Sequence, residues 1–107
     1  MRRTSRPTIV RALAAFAAFA ALSGCGPILY TVNALEAGEA VEQARQAGAA
    51  TNAPYEYWYA FAHLEHAREE AGDGDYQRAQ ELLGTATQYG NRARDLARRR
   101  GQESGRR

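Results

Sequence analysis

The chain's only cysteine, Cys25, directly follows Leu22-Ser23-Gly24. That tetrad has the form of a lipobox, and the chemistry it would support is attachment of a lipid to the thiol. The thiol is the nucleophile that takes up diacylglycerol, and small Ser23 and Gly24 let the backbone enter a narrow protease groove. His63 and His66 lie one helical turn apart with Glu70 four residues on, a spacing that would suit a metal or small ligand on one helix face. The HExxH spacing is absent, however, and no second Cys or third His completes a zinc set. Glu65, Glu69, Glu70, Asp73 and Asp75 read as a solvated face and helix caps, because carboxylates crowded on one helix and its turn do not flank a substrate. Asp73-Gly74-Asp75 does not continue into the ligand series of an EF-hand. Past residue 24 there is one serine, Ser104, and no glycine-rich phosphate loop or paired nucleophile and base. No enzyme is expected from that inventory.

The segment before Cys25 explains why the thiol sits where it does. Arg2, Arg3, Arg6 and Arg11 precede the apolar run Ala12 to Leu22, and together they make a signal peptide over residues 1–24. Ala21-Leu22-Ser23 would also suit an ordinary secretory peptidase. A retained span is disfavoured, since eleven apolar residues fall short of the ~20 that cross a bilayer. Thr4-Ser5-Arg6 after Arg2-Arg3 lacks the apolar residues of a twin-arginine signal, so Sec export is expected. Resemblance to bacterial lipoproteins implies covalent diacylglycerol and an N-acyl lipid on Cys25, with no other cofactor. Stable anchoring needs about two such chains. Gly26 stands where an Asp would signal inner-membrane retention, which implies the inner leaflet of the outer membrane, facing the periplasm.

Removal of the leader would leave 83 of 107 residues, one small domain with a thin core. Self-association or partner contacts are ways to stabilise it. The leader takes four of 14 Arg, leaving ten basic and 12 acidic residues, a net charge of −2. Cys25 to Gly90 holds three Arg and ten acids, whereas Asn91 to Arg107 holds seven Arg and two acids. An acidic body thus carries a basic tail.

Periodicity predicts an all-α fold, a three-helix up-down-up bundle over residues 31–99 between a lipidated tether (25–30) and a basic flexible tail (100–107). The first helix, Tyr30 to Ala47, would bury Ala34, Gly38, Val41, Ala44 and Gly48. Gly48 to Asn52 would be a turn, with Asn52 capping a second helix and Pro54 in its first turn. That helix would bury Tyr57, Ala60, Phe61, Leu64, Ala67 and Ala71. Gly72-Asp73-Gly74-Asp75 breaks the chain, and Asp75 would cap a third helix burying Tyr76, Ala79, Leu82, Leu83, Ala86, Ala93 and Leu96.

Gly74-Asp75-Tyr76-Gln77-Arg78-Ala79, followed by Leu82-Leu83 and Ala86, resembles the second helix of a tetratricopeptide repeat (TPR). The 34-residue period does not recur, so a solitary TPR-like hairpin is implied rather than an array. A broader likeness runs through Ala53-Pro54-Tyr55-Glu56-Tyr57, Leu64-Glu65-His66-Ala67-Arg68-Glu69-Glu70-Ala71-Gly72, Asp75-Tyr76 and Ala79. These stretches are similar to bacterial envelope proteins grouped as domain of unknown function 4398, many of them short lipoproteins. The resemblance implies an all-helical periplasmic module without known catalytic residues and with partners among envelope or peptidoglycan-associated proteins.

Two surfaces could serve such a partner. Tyr55, Tyr57, Trp58, Tyr59 and Phe61 place five aromatics in seven residues. At about 100° per residue, Tyr57 and Phe61 point to the core while Tyr55, Trp58 and Tyr59 spread around the helix, either packed or offered to a partner. Arg98, Arg99 and Arg100 suit the negative pole of a helix end or an anionic surface of lipid, lipopolysaccharide or cell wall. Nucleic acid is not an expected partner in the envelope, and Arg106-Arg107 offers no terminal Lys for covalent linkage to peptidoglycan. The reading is a membrane-anchored, non-catalytic adaptor or scaffold. The alternatives are a membrane-to-wall bridge through the Arg tail and, more weakly, ligand binding at His63 and His66.

Overall fold

A computed structural model describes residues 5–23 and 25–106, and no strand occurs among them. The fold is all-helical: α1 (Ser5–Ser23), α2 (Cys25–Gln46), α3 (Ala49–Asn52), α4 (Pro54–Gly72) and α5 (Tyr76–Gly105). Ala, Leu, Glu, Gln and Arg dominate these segments, and all are strong helix formers.

Glycine sets two of the breaks. Gly48 (φ 79°) and Gly74 (φ 85°) take left-handed backbone after α2 and α4, where a Cβ would be strained. Asp75 Oδ1 then accepts a hydrogen bond from Arg78 N at 2.9 Å, capping α5 as the sequence implies. Asn52 does not cap α4. The capping position is Ala53, without a side-chain bond, and Pro54 follows it. The expected turn has coiled into α3, which buries Ala49, with Ala53 buried just beyond it, while the Asn52 carbonyl accepts from Arg100 Nη1 at 2.6 Å.

Two segments expected to be irregular are helical. α2 begins at Cys25 and absorbs the expected tether; Pro27 fits there because a first-turn N–H has no intrahelical partner. α5 continues through most of the expected tail to Gly105, with Ser104 Oγ donating to the Arg100 carbonyl at 3.0 Å.

α2 and α5 run parallel, since Asn33 bonds Gln80 and Gln43 Oε1 accepts from Arg94 Nη1 at 2.9 Å in ascending order. α4 runs antiparallel to α5, with Asn52 beside Arg100 and Tyr59 against Tyr89. Among the described residues α1 contacts α2 alone, and Ile9, Val10, Leu13 and Phe16 stand exposed on it.

The core that α3 helps α2, α4 and α5 to enclose is made mostly of methyl groups: among the described residues, eleven of the sixteen buried apolar residues are alanine. α4 buries Tyr57, Ala60, Leu64 and Ala67, and α5 buries Ala79, Leu82, Leu83, Ala86, Ala93 and Ala97. Phe61 is a correction, being 39% exposed. It lies one residue beyond buried Ala60 on a helix whose buried arc is narrow. On α2 the buried residues are Ala37, Ala40, Val41 and Ala44, whereas Ala34, Gly38 and Gly48 are only half-buried. Ala71, Tyr76 and Leu96 are likewise half-buried.

At Gly90 the backbones of α2 and α5 approach closely. A Cβ placed there would lie 3.0 Å from the Ala40 carbonyl carbon and 3.1 Å from Val41 N. Because those atoms are backbone, the helices would have to separate, a strain of about 1–3 kcal/mol. Gly84, on the same helix, would meet nothing within 4 Å. Gly90→Ala should therefore lower the melting temperature and Gly84→Ala should raise it, the latter by helix propensity worth about 1 kcal/mol. Thermal melts followed by circular dichroism check both signs.

Candidate functional site

The first two turns of α4 carry an aromatic ridge. Buried Tyr57 roots it in the core, and Trp58 packs edge-on against Tyr57 (ring centroids 4.9 Å) and Phe61 (5.6 Å). A second file runs beside it: Tyr55 stacks on Tyr59 at 5.8 Å, and Tyr59 lies 4.1 Å from His63 and 4.3 Å from Tyr89 of α5. Tyr59 is thus half-buried, whereas Tyr55 and Trp58 remain 65% and 53% exposed. Neighbouring rings hold each exposed face in place, so its side-chain entropy is already reduced before anything binds.

His63 and His66 are not brought together on a common ligand. His63 Nδ1 lies 2.8 Å from the Tyr59 carbonyl, which can only accept, so that nitrogen carries the proton. His66 Nε2 lies 3.0 Å from Glu70 Oε1. Among the described residues no three His, Cys, Asp or Glu are grouped to hold a metal ion.

Arg98, Arg99 and Arg100 are exposed near the C-terminal end of α5. Elsewhere the charges pair locally along the helices, as in Arg68 with Glu65 and Arg78 with Glu81 at 3.1 Å. Hydrogen bonding to Arg45 lowers the Glu42 carboxyl below its usual pKa, and Glu42 raises the guanidinium in turn. Both groups are exposed, which makes them a surface ion pair of small energetic weight.

A shallow groove of about 330 Å³ between α2 and α5 is lined by Asn33, Glu36, Gln80, Leu83, Gly84, Thr87 and Gln88. Gln80 Nε2 is buried there without a partner among the described residues. Sequence reasoning missed this groove, since its amides sit at ordinary surface spacings and only the crossing of α2 over α5 joins them.

Of the expected lipobox, Gly24 lies outside the described residues, as do the side chains of Leu22, Ser23 and Cys25. Arg2, Arg3 and Arg107 also lie outside them.

Residues 33–107 match the family described as Domain of unknown function (DUF4398). The chain belongs to that family. In this DUF4398 protein the match starts within α2 and takes in α3, α4 and α5, so it contains the aromatic ridge, both histidines and the Arg-rich helix end. The expected lipobox and the first eight residues of α2 precede it. The stretches that carried the resemblance hold both packed residues, such as Tyr57, Leu64 and Ala67, and exposed ones, such as Tyr55 and His66. No curated protein and no solved structure matches the chain.

Proposed function

We propose that this DUF4398 protein is a lipid-anchored, non-catalytic helical adaptor of the bacterial envelope, which docks an envelope partner through the aromatic ridge of α4. In this reading residues 1–24 are removed, Cys25 carries the lipid at the inner face of the outer membrane, and α2, α4 and α5 form the mature three-helix bundle with α4 and α5 as its TPR-like hairpin. The observation that carries the reading is the pair Tyr55 and Trp58, the most exposed rings of a ridge that buried Tyr57 roots in the core. Rigid amphipathic rings of this kind dominate binding hot spots.

The topology supports the arrangement. Because α2 and α5 run parallel, Cys25 stands at one end of the bundle and Arg98 near the other. The 22 residues of α2 separate the ends by roughly 33 Å at 1.5 Å per residue. Tyr55 and Trp58, at the start of α4, stand at the end away from the anchor. The same placement favours a second reading, in which Arg98 and Arg99 meet an anionic surface across the periplasm and the protein bridges membrane and wall.

The two readings fail under different substitutions. Trp58→Ala should weaken partner capture in crosslinked envelopes by about 2 kcal/mol or more if the ridge is the centre of the interface. Arg98→Glu combined with Arg99→Glu should leave capture intact. Charge reversal is a cleaner test than truncation after Leu96, which would also remove buried Ala97 and the Arg100 bond to Asn52. Capture that persists in folded Trp58→Ala but is lost on charge reversal overturns the adaptor in favour of the bridge.

A further inference from the structure

The first three turns of α2 turn their apolar side chains outward. Ile28, Leu29, Val32 and Leu35 are all exposed, Leu35 to 71%. The polar side chains of the same turns are engaged with the protein, Tyr30 and Asn33 being half-buried. Thr31 Oγ1 donates back to the Pro27 carbonyl at 2.9 Å, the Asn33 amide bonds Gln80, and Tyr30 packs against Tyr76 with centroids 5.9 Å apart. A helix surface in water does the reverse, so this segment is built for an apolar surrounding.

Four observations bear on what covers it. From Ala12 to Leu35 the chain carries no charged residue, and Glu36 follows at once. The face that presents Ile28, Val32 and Leu35 continues up the helix as Glu39, Glu42 and Gln46, so its apolar part ends abruptly. A second copy aligned in parallel would bring Glu39 and Glu42 against their own equivalents, a like-charge contact that opposes pairing. A lipid surface fits such a break in a helix inclined to it, because only the turns nearest Cys25 reach apolar depth. Ile28 is three residues, and Leu35 ten, from Cys25 on the same helix. The tilted pair Tyr30 and Tyr76 lies at this level, where amphipathic rings suit a membrane interface.

We infer that the N-terminal three turns of α2 form a membrane seat, laying Ile28, Leu29, Val32 and Leu35 into the boundary between headgroups and acyl chains beside the lipid on Cys25. The inference rests on the anchored reading above. It adds a second, non-covalent contact that fixes how the bundle stands on the membrane, where a flexible tether would leave it free to swing.

The test uses full-length protein processed in cells and reconstituted into phosphatidylethanolamine and phosphatidylglycerol vesicles, with Val32→Cys or Glu42→Cys carrying an environment-sensitive fluorophore. Acylation of Cys25 is read by mass spectrometry on the same samples, and circular dichroism confirms folding. The expected result is blue-shifted emission at position 32 that nitroxide-labelled acyl chains quench, with water-like, unquenched emission at position 42. Water-like emission at position 32 in acylated protein overturns the seat and leaves the anchor standing. A blue shift there without lipid quenching means that protein covers the face, and also overturns it. Protein lacking acyl groups on Cys25 overturns the anchor and the seat together.

Discussion

Leu83→Ala is expected to unfold most of the domain at physiological temperature. Leu83 is the largest fully buried side chain among the described residues, in a core made mostly of alanines that cannot move in to fill the space it leaves. Leucine truncations of this kind cost about 2–5 kcal/mol, rising with the volume of the cavity that remains. A single core of this size supplies roughly 3–5 kcal/mol of net stability, so the loss is comparable with the whole. Leu64→Ala, on the facing helix, should act in the same direction. Urea and thermal unfolding followed by circular dichroism give the result, and an unchanged transition for Leu83→Ala would mean that α5 does not pack along this stripe.

Cys25→Ser should abolish lipid attachment and leave an unprocessed precursor. A serine hydroxyl is a far weaker nucleophile than a thiol at neutral pH, so no diacylglycerol is transferred and the lipid-dependent cleavage has no substrate. Each buried methylene of an acyl chain contributes about 0.8 kcal/mol to membrane binding, and all of that is forfeited. Radiolabelled palmitate incorporation and the electrophoretic shift between precursor and mature forms measure the two steps. Normal cleavage to a soluble product would instead identify Ala21-Leu22-Ser23 as an ordinary secretory site and remove the anchor from the proposed function.

The third and fourth of the long helices, α4 and α5, were legible because large and small residues contrast along them. Tyr57, Ala60, Leu64 and Ala67, and Leu82, Leu83 and Ala86, recur with helical spacing against a charged background, and all are buried. α2 offered little such contrast. Ala34, Ala37, Ala40, Ala44 and Gly38 are small on several faces, so periodicity alone placed Ala34 and Gly38 in the core where the fold uses Ala37 and Ala40. Gly90 carried no sequence signal either, because its role depends on where the Ala40 backbone arrives. At the candidate site, clustering in the sequence was enough to single out Tyr55, Trp58 and Tyr59. The distinction between exposed Trp58 and half-buried Tyr59 needed Tyr89, contributed from thirty residues further along the chain.

The alanine interior has a thermodynamic consequence of its own. Alanine has no side-chain rotamers, so ordering it on folding costs backbone entropy alone, whereas a buried leucine or isoleucine gives up about 0.5–1 kcal/mol and a methionine more. Among the described residues, eleven of the sixteen buried apolar side chains therefore bring no rotamer freedom to lose. The same residues have one shape each and cannot repack into an alternative arrangement. A core that buries little per residue thus compensates by being cheap to order and by admitting one packing, which leaves its uniqueness to the register of three backbones against each other.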